Sequence, residues 1–246
     1  MKKTAAIIQA RMGSTRLPGK VLKKIKDKTV LSHVIKRVEQ SKKTDEIIIA
    51  TTEHKRDDPI IKEAKKCGVN YYRGSEEDVL SRYYESAKQY DVDTIIRITS
   101  DCPLIDPFII DEIIEFYQKK DYHLVTNARH IKENRTNPRG MDTEVFSFQI
   151  LKETFQNAVQ KYQREHVTPY IYENSGKIYY YKNNIDYSKY RLTLDESEDL
   201  RLIENIYEKL YRGVHDFYLK DIIELLLDEP ALAEINKKIE QKKLKD

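Results

Sequence analysis

Basic and glycine residues gather in one short stretch, "IIQARMGSTRLPGKVL", running from Ile7 to Leu22. Gly13 and Gly19 let a backbone turn so that N–H groups face inward as an anion nest. Arg11, Arg16 and Lys20 add charge-assisted hydrogen bonds to whatever anion is held. Polyphosphate is the guest that such a loop suits. Two familiar phosphate loops do not fit it. A Walker A loop places four residues between its glycines and then Lys with Ser or Thr. Here five residues separate Gly13 from Gly19, and Val21 follows Lys20. A dinucleotide fingerprint needs three close glycines, and this loop has two. On the loop alone, an ordinary solvated basic loop stays open as the plainer reading.

A bound polyphosphate calls for Mg²⁺, which takes oxygen ligands, usually one or two carboxylates plus phosphate oxygens and water. Asp101 follows the run "TIIRITS" and Asp195 follows "YRLTL", so two aspartates at neighbouring strand ends could face one metal. The plainer roles are a turn cap for Asp101 before Pro103 and a helix start for Asp195 before "ESEDL". Asp106 and Asp199 read as caps or surface residues. Asp142 and Glu144, two apart in "RGMDTEVFSF", share one face of a strand. They suit either sugar hydroxyls or salt bridges to Arg135 or Arg139. Arg73 and Ser75 leave a third strand at the same edge, where Ser75 also reads as a helix N-cap. Arg97, within a strand, either meets a carboxylate half-buried or points into the site. A lone His166 is more often structural than catalytic. Cys102 is a poor nucleophile, because the adjacent Asp101 disfavours its thiolate.

These residues need elements to hold them. "TAAIIQA", "EIIIATT", "VNYYRG" and "DTIIRITS" read as short buried strands. Between and after them, "VLSHVIKRVEQ", "DPIIKEAKKCG", "SEEDVLSRYYESAKQY" and "FIIDEIIEFYQKK" carry helical periodicity. Pro59 suits a first helical turn, Gly68 a helix end, and Ser75 an N-cap. This alternation predicts an α/β fold, a mostly parallel sheet with helices on both faces. Ligands in such sheets sit beyond the carboxyl ends of the strands, where the basic loop and Asp101 would both lie. In the second half, "YHLVTNA", "DTEVFSF", "GKIYYYKN" and "YRLTLD" read as strands. "QREHVTPYIYEN" reads as a helix with Pro169 near its start or kinking it. "SEDLRLIENIYEKLY", with Ser197 as cap, and two closing stretches complete the helices. One domain, 1–246, is expected, with the segment 128–182 as an inserted arm.

The whole chain narrows the function classes. Forty-four Lys and Arg against forty-one Asp and Glu leave a net charge of +3, so nothing in the balance points to nucleic acid. The tyrosines of "KIYYYKN" are ordinary strand content. The two cysteines, Cys67 and Cys102, offer neither a disulfide framework nor a metal spacing, and a reducing, cytoplasmic setting is the simpler reading. No apolar run reaches membrane-spanning length. The start "MKKTAAIIQA" has the look of a leader, but Gln9 and Arg11 cut its apolar run short.

The motif "QARMGSTRLPGK" resembles the first signature of the sugar-activating cytidylyltransferases. These include the synthetases of CMP-linked sialic acids and of CMP-linked 3-deoxy-manno-octulosonate. "YRGSEEDVLSRYY", "RITSDCPLIDP", "RGMDTEVFSF", "REHVTPYIY" and "RLTLDESEDL" are similar, in the same order, to the later blocks of the group named for spore-coat polysaccharide biosynthesis. The resemblance implies a Rossmann-like nucleotidyltransferase fold. It implies CTP and a sugar acid or a sugar or polyol phosphate as substrates, with Mg²⁺ held by Asp101 and Asp195. It implies that Arg11 and Lys20 offset charge on the triphosphate. Gln9, Ala10, Gly13, Ser14, Arg16, Arg73 and Ser75 would bind the nucleotide, and Asp142, Glu144 and His166 would border the acceptor. It implies a homodimer formed through the 128–182 arm. Ser100 departs from the "GD" of the octulosonate and sialic acid enzymes, so the acceptor does not carry over. Another nucleoside triphosphate, and a non-catalytic nucleotide-binding partner of a glycosyltransferase, are the alternatives. A glycosyltransferase itself would carry an Asp-x-Asp motif, absent from "SDCPLID".

Overall fold

Alternating apolar residues on both faces of a strand demand cover on both sides, and the chain supplies it. The computed structural model describes residues 2–128 and 135–240. The first half runs β1 (Thr4–Gln9), a small hairpin of β2 (Lys24–Ile25) and β3 (Lys28–Thr29), α1 (Val30–Val38), β4 (Glu46–Thr52), α2 (Asp58–Cys67), β5 (Asn70–Gly74), α3 (Val79–Gln89), β6 (Thr94–Thr99) and α4 (Pro107–Lys119). The second half runs β7 (Leu124–Thr126), β8 (Glu144–Ser147), α5 (Phe148–Asn157), α6 (Lys161–His166), α7 (Pro169–Asn174), β9 (Ile178–Tyr180), α8 (Ser197–Leu210), α9 (Leu219–Asp228) and α10 (Pro230–Glu234).

The main sheet has the order β5-β4-β1-β6-β8-β7-β9. β5, β4, β1 and β6 are parallel; β8 is antiparallel to β6 and β7, and β9 runs parallel to β7. Ala5 and Ile7 of β1 face a core with Leu80 and Tyr83 of α3, whereas Ala6 and Ile8 face one with α1, α4 and α8. β1 sits between β4 and β6. Chain order therefore reverses there, and a crevice opens beyond the carboxyl ends of β1 and β6. Among the described residues, no helix is long and apolar enough to cross a membrane.

Several local expectations change. "YRLTLD" forms no regular strand. It makes one bridge, Arg139 to Arg191, and then crosses the strand ends, where Leu194 N donates to the Asp101 carbonyl at 2.8 Å. The crossing is tight: a Cβ on Gly140, at φ +96°, would lie 2.4 Å from the Leu192 carbonyl. "QREHVTPYIYEN" is two helices, because Pro169 takes the first turn of α7 and Val167 reverses the chain at φ 72°. Asp78, not Ser75, caps α3, and Glu196, not Ser197, is the N-cap residue of α8. At α3 Asp78 accepts from the orphan N–H of Ser81, and at α8 Asp199 reaches back to the N–H of Glu196. The segment expected as an arm is woven into the domain: β8 and β9 join the main sheet, and α5 and α6 pack on α3. Positions 129–134 of that segment lie outside the described residues.

A buried histidine pair ties the β2–β3 hairpin, α1 and the turn after α8 together. His33 Nε2 lies 2.9 Å from the Ile25 carbonyl and Nδ1 lies 2.8 Å from His215 Nε2. A carbonyl only accepts, so His33 donates from Nε2 and must accept at Nδ1 from His215. Burial pushes both imidazoles down, His33 to about 4 and His215 to about 3. The folded state therefore holds them neutral, while unfolded imidazoles take up protons near pH 6.5. Stability from this source is complete above that pH and is lost as pH falls toward 4. Between pH 7.5 and 5 the expected loss is about 2 kcal/mol per histidine. Urea denaturation across that range should show this slope in the wild type and a shallower one in His215→Asn.

Candidate active site

The loop after β1 folds back on a single carbonyl. Ser14 N and Gly19 N both donate to Met12 O, at 2.9 and 3.1 Å. Gly19 has φ +65°, in the left-handed region that glycine favours, and opens a 3₁₀ turn over Lys20–Leu22. That turn aims Lys20 across the crevice. Its ammonium donates to Asp101 Oδ2 at 2.7 Å, the Leu194 carbonyl at 2.8 Å and Asp195 Oδ1 at 2.9 Å. Burial works against charge on both Lys20 and Asp101. Their mutual attraction and hydrogen bonds outweigh it, raising the lysine and holding the Asp101 carboxyl below its ordinary range. Thr99 Oγ1 adds a bond to Asp101 Oδ1 at 2.5 Å.

Asp195 is held from behind. Arg191 Nη2 bonds its Oδ2 at 2.8 Å, and Arg16 Nη2 reaches its Oδ1 at 2.9 Å. Arg191 is fixed in turn by Asp199, a fully buried side chain whose Oδ2 also accepts from the backbone N–H groups of Asp195 and Glu196. Asn236 donates to Asp199 Oδ1 at 2.8 Å and to the Arg191 carbonyl at 2.9 Å. Sequence reasoning missed Arg191 and Asn236. It read Asp199 as a cap or surface residue, and the cap is real but the surface position is not. The available signal was Asp199 in the first turn of α8, four residues after Asp195.

The aspartate pair presents oxygen donors around one point, now filled by an ammonium. Two carboxylates and a carbonyl form the hard, all-oxygen set that suits a divalent cation such as Mg²⁺. Among the described residues, no three His, Cys, Asp or Glu side chains form a metal-holding group. The protein would thus supply two carboxylates and leave the remaining positions to phosphate and water.

The other expected residues sort themselves by their partners. Gln9 ends β1 with a buried Oε1 that accepts no hydrogen bond from the described protein, an acceptor suited to a ligand N–H. Ala10 N extends the β1–β4 ladder by donating to the Ala50 carbonyl at 3.1 Å. Gly13 lies against Arg56 and Glu76, and Ser14 Oγ accepts from Leu17 N. Arg11 meets Glu76 at 3.6 Å. Arg73 points back to the carbonyls of Thr52, Glu53 and His54 and to Asp58, so it braces the turn after β4. Ser75 Oγ accepts from Asp78 N.

The pairing of Asp142 with Glu144 on one strand face is corrected. Only Glu144 lies in β8; Asp142 precedes it and is ion-paired with buried Arg135. Glu144 is 2% exposed and saturated by Arg97, Thr168 and Tyr172. Its oxygens already carry these bonds, so it braces β8 against β6 and α7, and sugar hydroxyls would have to displace them. Asp142, a third exposed, stays open to an acceptor. His166 ends α6, immediately before the reversal at Val167, on the α3 side of the sheet. Burial, with Asp101 adding to it, raises the Cys102 thiol far above its usual range, which excludes a thiolate nucleophile.

Comparison with known proteins places this geometry among relatives. A family model described as cytidylyltransferase matches residues 5–242. The spore coat polysaccharide biosynthesis protein SpsF of Bacillus subtilis is 36% identical over 239 residues, covering 92% of this chain and 95% of its own. A 3-deoxy-manno-octulosonate cytidylyltransferase of Fusobacterium nucleatum is 32% identical over 218 residues, covering 84% and 86%. The solved structure of a cytidylyltransferase from Leptospira borgpetersenii superposes with a TM-score of 0.90 at 37% identity, over 98% of this chain and 100% of that one.

Replacing Lys20 tests the electrostatic centre. Lys20→Met leaves Asp101 without its cation beside Asp195, which keeps Arg16 and Arg191, and the expected loss at pH 8 is roughly 2–3 kcal/mol. The Asp101 contribution to the pH dependence should change sign. A depressed Asp101 pKa gives stability that is full above the unfolded value and lost as acid protonates the carboxyl. In the variant, repulsion raises that pKa, so its deficit relative to the wild type should shrink from pH 8 to pH 5, on top of the histidine-driven loss that both proteins share. Urea midpoints at both pH values check this.

Proposed function

The chain belongs to the cytidylyltransferase family, and we propose that it moves the cytidylyl group of CTP onto an oxygen of a sugar acid or a sugar or polyol phosphate. Pyrophosphate leaves, and the CMP- or CDP-linked product feeds surface polysaccharide synthesis in the cytoplasm. One observation carries the reading: the glycine loop after β1, the end of β6 and the 191–195 segment converge through Lys20 on two aspartates at the switch point of the sheet. The names of the Bacillus and Fusobacterium relatives support a polysaccharide setting and a sugar-acid acceptor.

The acceptor oxygen attacks the α-phosphorus in line with the departing pyrophosphate. Charge builds on that leaving group, and preorganised cations at its position lower the barrier. Arg11 and Lys20 would serve there, with Arg16 beside them. Asp101 and Asp195 would hold Mg²⁺, which when bound screens the phosphates and stabilises the leaving pyrophosphate. With its carboxylates so engaged, Lys20 can turn to phosphate oxygens. The orphan Gln9 Oε1 would accept from the nucleotide. Asp142, tethered by Arg135, would accept from an acceptor hydroxyl. An acceptor that is already a phosphate needs no general base. A homodimer is part of the same proposal, checked by light scattering.

Pyrophosphate release is the decisive assay, with Mg²⁺, each of the four nucleoside triphosphates, and a panel of sugar acids and sugar or polyol phosphates. Release should require CTP together with one acceptor. Asp101→Asn and Asp195→Asn should each cut turnover by about a thousandfold while the circular dichroism spectrum is kept. Release with another triphosphate would replace CTP, and CTP binding without release from any acceptor would favour a non-catalytic module.

A further inference from the structure

Three basic side chains converge on one carboxylate at the rim of the nucleotide loop, and only one of them belongs to the signature motif. Glu76 is ion-paired with Arg11 at 3.6 Å and with Arg56, and its Oε2 lies 2.9 Å from His54 Nε2. The basic groups are open to solvent, with side chains 44% exposed for Arg11, 50% for Arg56 and 58% for His54, against 20% for Glu76. One carboxylate cannot neutralise two guanidiniums, so the spot stays positive whatever the state of His54. A Cβ added to Gly13 would come within 3.1 Å of both Arg56 Nη2 and Glu76 Oε1. The cluster therefore lies directly against the loop that holds phosphate.

The turn that presents His54 and Arg56 is firmly held. Arg73 donates to its carbonyls at Thr52, Glu53 and His54, at 3.0, 2.8 and 3.1 Å. Asp57, fully buried, accepts from Met12 N at 2.7 Å and from the Thr52 hydroxyl. The turn after β4 and the loop after β1 are thus tied to each other through Asp57. Arg16 and Lys20 are engaged by Asp195 and Asp101 on one side of that loop, and Gly13 faces the other cations.

Building on the cytidylyltransferase reading, we infer that the 53–57 turn is the outer wall of the triphosphate site. Arg56, with His54 and Arg11, receives the phosphates farthest from the reacting α-phosphorus. Glu76 stands in for them when no nucleotide is bound. A triphosphate offers the same kind of oxygen acceptor as Glu76 with several times its charge, so it displaces the carboxylate from the cations. Arg73 is then a positioning residue that fixes the wall and does not touch the nucleotide.

Calorimetric titration of the full-length chain with CTP and with CMP, in Mg²⁺ and without acceptor, tests the inference. Arg56→Ala should weaken CTP about tenfold while leaving CMP within about twofold, because CMP lacks the outer phosphates. Glu76→Gln should tighten CTP severalfold, a gain that a merely structural Glu76 would not produce. Raising the salt should shrink the difference between wild type and Arg56→Ala. Unchanged CTP affinity in Arg56→Ala, or equal losses for CTP and CMP, would overturn the inference while leaving the enzyme reading intact. A wild-type chain that binds no CTP would instead remove the reading on which it rests. Thermal melts of each variant confirm that the titrated protein is folded.

Discussion

The contact between the Lys20 ammonium and the two carboxylates of Asp101 and Asp195 is the constraint around which the crevice is built. Two aspartates that face one point repel each other, and partly buried they do so with little help from water. Lys20 removes that repulsion, and in doing so it pins together the loop after β1, the end of β6 and the segment crossing above them. The geometry asks for a left-handed residue at Gly19 to turn the loop and for a missing side chain at Gly140 to let the crossing segment pass.

Behind this centre lies a second set of ion pairs with a different character. Arg191 with Asp199 is buried on both sides and Glu144 is buried beside Arg97, and the two carboxylates have their remaining hydrogen bonds completed by other protein groups. Pairs of this kind add little net stability but hold geometry, since breaking one strands a charge out of water. The exposed cations around Glu76 are the opposite case: solvated, mutually repelling and under-neutralised, they are arranged to receive an anion. Burial therefore separates scaffold from site among residues that look alike in sequence. Glu144 and Asp142 are two positions apart, yet one is buried and the other a third exposed.

The first half of the fold was legible because its signals are local. "TAAIIQA" and "DTIIRITS" are apolar on both faces and short, so they could only be inner strands, and the helices between them carry their own apolar stripes and caps. The second half was less legible because its structure is set by distant contacts. "YRLTLD" has strand-like residues but no free ladder to join, and Val167 takes a positive φ that no local rule anticipates. Of the candidate site, Lys20, Asp101 and Asp195 were readable from residue type and position at strand ends. The protein partners of Arg73 and Glu144 were not readable, because sequence does not show which acceptors and donors lie within reach.

From the sequence alone came the alternation that makes a parallel sheet, the glycine-bearing basic loop at its rim and the ordered blocks that resemble a cytidylyltransferase. These follow from periodicity, backbone freedom and residue chemistry, which act over a few positions along the chain. Only the tertiary structure decided that Lys20 lies between the aspartates, that Asp199 and Arg191 stand behind them, and that Arg56 and His54 join Arg11 at Glu76. Such choices depend on which charges share a volume and how much water reaches them, and residues up to 175 positions apart settle that together.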